Sequence, residues 1–232
     1  VKVEVLADAD AVARRAAAVI AADARDAVAA RGRFAMAVSG GHTPWVMLRA
    51  LAGESVPWRD VHVFQVDERV APAGDPDRNL THLRDSLLSH AKLPPDQIHA
   101  MPVEAADLDA GGAAYARTLE SICGAPPVLD LAHLGMGPDG HTASLVPGDP
   151  VCSVTDRDVA LTGVYMGRRR MTLTYPVLDR ARRVLWLITG AEKAPMLPRL
   201  TRGDASIPAG RIRPDAALVL ADRAAAGQGA GA

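Results

Sequence analysis

Apolar and polar positions fall in short blocks whose period changes along the chain. Residues 1–6 alternate and predict an edge strand. Val12, Ala16, Val19, Ile20, Ala27 and Val28 then share one helical stripe, with Asp8 or Asp10 placed to cap its start and Gly32 to end it. Residues 34–38 are a short apolar strand, and Pro44 suits the first turn of a helix reaching about Leu51. A strand over 61–66 carries Asp67, Glu68 and Arg69 at its end. A Pro/Gly/Asp-rich loop follows over 71–78, and Asn79 opens a helix to about Ser89. Residues 98–101 predict a short strand, 109–122 a helix and 129–134 a strand. Residues 159–164 and 171–174 read as two strands of one hairpin. Residues 184–189 form a buried strand, with a turn and helix over 190–200. Residues 216–220 close the sheet, and the Ala/Gly/Gln segment 224–232 is expected to fray. Strands alternating with helices imply a largely parallel sheet covered on both faces. No repeat or interdomain linker interrupts residues 1–232, so one domain is expected.

Composition narrows the chemistry. The 232 residues are 49% hydrophobic but only 3% aromatic, so the core must rest on Ala, Val, Leu and Ile. A net charge of −1 gives no global field for nucleic acid or membrane, so neither is expected as a partner. An anionic ligand must be held by a local cluster. Only Lys2, Lys92 and Lys193 are lysines, against twenty-three arginines, so a lysine at a strand end says more than an arginine does. Cys123 and Cys152 have no metal-ligand spacing and read as reduced thiols in a cytoplasmic protein. The N-terminus lacks the basic flank and apolar run of a signal peptide. No apolar stretch approaches the roughly 20 residues of a membrane span.

Four strand ends carry small, polar or charged residues: 39–43, 67–69, 135–141 and 189–193. In a parallel sheet the C-terminal strand ends share one edge, so these segments should converge. Ser39, Gly40, Gly41, His42 and Thr43 resemble an anion cradle, in which glycines turn backbone N–H groups inward and the next helix offers its positive end. It is not the nucleotide P-loop, whose spacing is absent. Lys193 is a natural partner for a phosphate there. Residues 135–140 satisfy G-x-G-x-x-G. They lie past mid-chain, however, and put Asp139 and His141 at the expected helix entrance, which disfavours nicotinamide binding. His141 is the side chain best suited to move a proton near neutral pH. His62, His90 and His99 read as structural or surface. Arg170, opening the strand that follows, could reach a carboxylate or a developing oxyanion.

Together these motifs resemble the 6-phosphogluconolactonase family, within the superfamily shared with glucosamine-6-phosphate deaminase. The matching residues are Ser39-Gly40-Gly41-His42-Thr43-Pro44, Val66-Asp67-Glu68-Arg69-Val70, the run LGMGPDGHTASLVPG from Leu134 to Gly148, Arg170-Met171-Thr172-Leu173-Thr174 and Thr189-Gly190-Ala191-Glu192-Lys193. They occur in the family's order and cover nearly the whole chain. After Asp139-Gly140-His141 the deaminase branch continues differently, whereas Thr142-Ala143-Ser144-Leu145 is the lactonase form. Val146 stands where the family has Phe, Arg78 where it has Ser, and Ala71 separates Val70 from Pro72. Arg78 and Asn79 are therefore not carried over as ligand contacts.

The resemblance implies a three-layer α/β/α sandwich with a mainly parallel, Rossmann-like sheet, like glucosamine-6-phosphate deaminase and ribose-5-phosphate isomerase. It implies hydrolysis of a phosphorylated sugar lactone in the oxidative pentose phosphate pathway, with no metal and no organic cofactor. His141 is then the expected general base, Asp139 orients it or the water, and Arg170 and the backbone of the glycine turn, including Gly137, stabilise the oxyanion. Ser39, Gly40, Gly41, His42, Thr43, Asp67, Arg69 and Lys193 are expected to bind substrate and its phosphate. A monomer or small homo-oligomer in the cytoplasm is expected. A sugar-phosphate isomerase or deaminase, or a non-catalytic sugar-phosphate sensor, are the alternatives.

Overall fold

The computed structural model describes residues 1–212, 215 and 217–228. Among the described residues, ten strands form two sheets. Seven of them, β1 (Lys2–Leu6), β2 (Phe34–Val38), β3 (Val61–Gln65), β5 (Ile98–His99), β6 (Leu131–Leu134), β9 (Val184–Ile188) and β10 (Ala217–Asp222), make one sheet in the order β1-β10-β9-β6-β2-β3-β5. Every neighbouring pair in it is parallel. From β2 the chain moves outward through β3 and β5. It then returns across β2 to β6 and runs outward on the other side. The reversal opens a crevice beyond the C-terminal ends of β2 and β6, where ligands of such sheets bind.

Side-chain alternation along the strands divides the core in two. Phe34, Met36, Val38, Leu185, Leu187, Leu218 and Leu220 face α1 (Ala9–Arg31) and α2 (His42–Ala52). Ala35, Ala37, Val184, Trp186, Ile188, Val219 and Ala221 face a layer holding α4 (Leu108–Cys123) and the second sheet. The α1 face is built on Ala13, Ala16, Ala17, Ala21 and Ala24, all wholly buried; such small side chains suit close helix packing. Asp8 caps this helix through Ala11 N–H at 2.8 Å, and Gly32 ends it at φ 74°.

The expected three layers are present, with one addition. β4 (Asp67–Arg69), β7 (Val159–Leu161) and β8 (Arg170–Leu173) form a separate antiparallel sheet in the order β4-β8-β7. The hairpin expected from residues 159–174 is therefore real, and it recruits the segment expected only to end the 61–66 strand. Glu68 explains why that segment is held. Its fully buried carboxylate accepts the N–H groups of Arg69, Asn79 and Leu80 and the Gln65 amide, each at 2.8 Å. The Arg78 guanidinium lies 3.2 Å away as its counter-charge. Glu68 thus joins β4 to the N-terminus of α3 (Asn79–Leu83), which continues into a π-helical stretch over Arg84–Leu88.

Other expectations change. No helix follows His141: Thr142 and Leu145 bridge one another, and Ala143 adopts φ 52°. Only five residues separate His141 from Pro147, too few to pay for helix nucleation. The helix expected over 190–200 is a 3-10 turn at Ala191–Lys193 and a short α6 (Leu197–Thr201), because Pro195 and Pro198 lack the N–H a continuous helix needs. Ala216, the expected start of the last strand, lies outside the described residues, as do 229–232 of the segment expected to fray. Residues 224–228 form a turn with Ala225 buried.

Two histidines are held neutral by burial. His133 is wholly buried in β6 and pushed down to about 3. In His99, burial and the neighbouring His62 act together to push it down to about 4. Between their ordinary value of 6.5 and about 4, the unfolded chain binds protons at both positions that the folded chain does not. Stability is therefore predicted to fall as pH drops through that window, by about 1.4 kcal/mol per pH unit at most for the wholly buried His133 and by less for the half-buried His99, where solvent screens the charge. Urea unfolding at pH 7 and pH 5 measures this, and equal midpoints would contradict it.

Candidate active site

A cleft of about 360 Å³ opens at the β2/β6 crevice. Segments 39–43 and 135–141, with residues from the other two strand ends, meet there. Ser39, Gly40, Gly41, His42, Thr43, Asp67, Arg69, Gly137, His141, Arg170 and Lys193 all line it. Asp139 stands just behind the wall, bonded to His141.

The floor is set where β2 meets β6. The N–H of Ser39 donates to His133 Nδ1 at 3.2 Å, and its hydroxyl donates to the His133 carbonyl at 2.9 Å. His133 therefore carries its proton on Nε2, which has no partner. The Ser39 hydroxyl is committed to β6, so it is not the anion donor expected from sequence. Beyond it the chain needs two glycines. A Cβ on Gly40 would lie 2.0 Å from Asn79 Oδ1, and Gly41 holds φ 126°, ψ 164°, open essentially to glycine alone. This path brings the N-terminus of α2 to the cleft without any side-chain cap. Its first N–H groups and the helix dipole are thus available to an anion. The Thr43 hydroxyl is shared with the Thr189 hydroxyl at 2.8 Å, which ties this helix start to the end of β9.

Lys193 approaches from that same strand end. Its ammonium is 3.6 Å from Glu192, and its side chain is only 17% exposed. The turn before it is fixed by Asp222, whose carboxylate oxygens accept the Gly190 N–H at 3.1 and 3.2 Å.

His141 stands on the glycine turn. Asp139 Oδ1 is 2.6 Å from His141 Nδ1 and also accepts the His141 N–H at 3.1 Å. Burial acts to raise the Asp139 pKa, but the His141 N–H and the imidazole outweigh it and hold the carboxyl below its ordinary value. An ionised Asp139 accepts Nδ1–H, which leaves the lone pair on Nε2. Gly137 makes room for this pair, since a Cβ there would lie 2.1 Å from His141 Nδ1. Its own N–H donates to the His141 carbonyl at 2.8 Å. That bond removes Gly137 N–H from the oxyanion role expected of it and closes the turn on itself.

The second sheet supplies the remaining wall. Asp67 is buried, accepting the Ser144 hydroxyl at 2.6 Å and the Asn79 amide at 3.3 Å. Arg69 and Arg170 both have a buried Nε with no hydrogen-bond partner. Burial lowers the Arg170 pKa, Asp67 opposes that shift and Arg69 adds to it. Both side chains line the cleft, so two guanidiniums beside one committed carboxylate leave this wall able to receive an anion or a developing oxyanion. Asn79 and Thr189 also line the cleft and were not among the expected site residues. In the sequence Asn79 reads as a helix start, and the departure at Arg78 keeps it from being carried over as a ligand contact.

Among the described residues no group of three or more His, Cys, Asp or Glu could hold a metal ion, and no helix is long and apolar enough to cross a membrane. Cys123 and Cys152 are both buried free thiols, and neither lines the cleft.

The family described as glucosamine-6-phosphate isomerases/6-phosphogluconolactonase matches residues 7–220. The 6-phosphogluconolactonase of Synechocystis sp. is 36% identical over 225 residues, covering 94% of this chain and 93% of the relative. The crystal structure of 6-phosphogluconolactonase from Thermotoga maritima superposes with a TM-score of 0.84 at 28% identity, covering 95% of this chain and 98% of the other. A monomeric glucosamine-6-phosphate deaminase shares the fold, with a TM-score of 0.85 at 20% identity over 98% of this chain and 100% of the other.

Replacing Gly137 with alanine is predicted to push the imidazole of His141 off Asp139. A crystal structure of G137A should show the Nδ1 contact broken, and an unmoved imidazole would contradict the packing described.

Proposed function

The chain belongs to the glucosamine-6-phosphate isomerase/6-phosphogluconolactonase family, and we propose that it hydrolyses 6-phospho-D-glucono-1,5-lactone to 6-phospho-D-gluconate in the oxidative pentose phosphate pathway. The observation that carries this reading is one cleft in which His141, with Nε2 free, faces the same space as Lys193 and the uncapped N-terminus of α2. One group moves a proton and the others hold an anion. A phosphorylated lactone needs both.

In this reading the phosphate sits against the first N–H groups of α2, with Lys193 beside it. Binding there orients the far end of the sugar and contributes to catalysis through positioning. At the other end His141 Nε2 takes a proton from water as the water oxygen bonds to the lactone carbonyl carbon. The carbonyl electrons move onto oxygen, and Arg170 stabilises that charge. The oxyanion then collapses, the bond from carbon to ring oxygen breaks, and the imidazolium returns its proton to the departing ring oxygen. Asp139 keeps Nδ1 protonated throughout, so Nε2 is the nitrogen that cycles. Water, lactone and a recycled proton balance the reaction, so no cofactor is invoked. We place the enzyme in the cytoplasm, as a monomer or small homo-oligomer acting on a free small molecule.

The test is pH-stat hydrolysis of freshly prepared lactone, read above its spontaneous opening, with ammonia release from glucosamine 6-phosphate as the competing assay. Release of ammonia without lactone hydrolysis would transfer the protein to the deaminase reading. Product binding without either reaction would make it a sensor. His141→Ala is predicted to lower kcat by about 10²–10⁴-fold, the usual contribution of a general acid–base, while keeping its affinity for 6-phosphogluconate. Unchanged turnover would remove His141 from the mechanism. Lys193→Ala is predicted to weaken product binding by about tenfold, or about 1.4 kcal/mol, near the lower end of the ~1.5–3 kcal/mol of a hydrogen bond to a charged group. Product affinity equal to wild type would contradict its role at the phosphate.

A further inference from the structure

The hairpin joining β7 to β8 lies beside the cleft and has no part in the mechanism above. Its tip is a two-residue turn. Tyr165 and Arg168 bridge one another, with Met166 at φ 50° and Gly167 at φ 78°. Val164 and Met166 project into solvent, 72% and 80% exposed. Tyr165, between them, turns the other way. Its ring meets the His141 imidazole edge-on, with centroids 5.6 Å apart and 63° between planes. The same ring lies over the Arg170 guanidinium, 5.0 Å from its centre. The tip is also latched. Arg168 Nε reaches Asp77 and its Nη2 reaches Asp75, both at 3.0 Å, which binds the hairpin to the loop over residues 71–78.

From this geometry we infer that Tyr165 is a positioning residue, its ring holding the His141 imidazole and the Arg170 guanidinium in register across the mouth of the cleft. The inference rests on the reading of His141 as the base and Arg170 as the oxyanion partner. Asp139 fixes one nitrogen of the imidazole, and Gly137, having no side chain, leaves the space beside that same edge open. A third contact is needed to stop the ring tilting about that single bond, and Tyr165 supplies it. Arg170 has the complementary need. It is a buried cation whose Nε has no hydrogen-bond partner, and an aromatic face compensates such a charge without occupying the N–H groups that the reaction uses. The ring, not the hydroxyl, performs both tasks, so phenylalanine should replace tyrosine and leucine should not.

The test compares wild type, Tyr165→Phe and Tyr165→Leu in lactone hydrolysis, with long-range 1H–15N spectra of the His141 ring recorded on the same proteins. Leucine is expected to lower kcat about tenfold, inside the 10²-fold that a 1 Å misplacement can cost, with KM and product affinity within about two-fold. Phenylalanine is expected to keep kcat within about two-fold of wild type. The His141 signals should show the Nδ1–H tautomer in wild type and Tyr165→Phe, and a mixture of tautomers in Tyr165→Leu. Equal kcat in wild type and leucine variant overturns the inference. So does equal loss in the phenylalanine and leucine variants, or a rise in KM with kcat unchanged. A wild-type protein inactive on the lactone would instead overturn the proposed function. The His141 spectra would still decide on Tyr165, since identical signals in wild type and Tyr165→Leu would exclude it as a positioning residue.

Discussion

Seven strands running the same way, reversing their order of addition between β2 and β6, is the constraint on which the remainder depends. Parallel alignment sends every strand-end loop to one edge of the sheet. Reversal leaves two of those loops diverging, so a crevice must open between them. The Ser39–His133 bonds hold the two strands together at the point where the loops part. The cleft is therefore a consequence of topology, furnished afterwards by side chains. Lys193 and His141 reach it from strands on the same side of the reversal, and the glycine cradle comes from the strand across it.

Polar groups in this cleft are divided between those that build it and those left free. Ser39, Thr43, Asp67 and the Gly137 N–H are all bonded within the protein. Arg69 and Arg170 retain a buried donor, α2 begins uncapped, and His141 retains Nε2. An unused buried donor costs stability, about 1–3 kcal/mol for a neutral group and more for a charged one. The second wall carries that cost because the Glu68 carboxylate accepts four hydrogen bonds of 2.8 Å, two of them from Asn79 and Leu80 N–H groups that tie β4 to α3. The cost of those unpaired donors is thereby offset a short distance from the site.

Much of this arrangement can be read from the sequence because it depends on local signals. The stripe from Val12 to Val28, the Asp8 cap and Gly32 define α1, and short apolar runs ending in Gly, Ser or Asp define β2, β6 and β9. Parallel strands then place Ser39, His141 and Lys193 at one edge with no further information. The second sheet is not legible in this way. β4 has three residues, all charged, and it is held to α3 by the buried Glu68 network and not marked by an alternating pattern. The stretch after His141 misleads for a related reason: Ser144 is drawn to Asp67, a contact distant in sequence, and the local preference yields to it. Tyr165 leaves no signal at all, since a lone aromatic between two exposed apolar residues looks like an ordinary hairpin tip.

The central claim is that one cleft grips a phosphate at the start of α2 and presents the other end of the same molecule to His141. A crystal structure with 6-phosphogluconate bound tests it most directly. The account predicts the phosphate within hydrogen-bond reach of the α2 N-terminal N–H groups and Lys193, with the carboxylate lying between His141 Nε2 and Arg170. A product bound in the opposite sense, or outside the β2/β6 crevice, would contradict it.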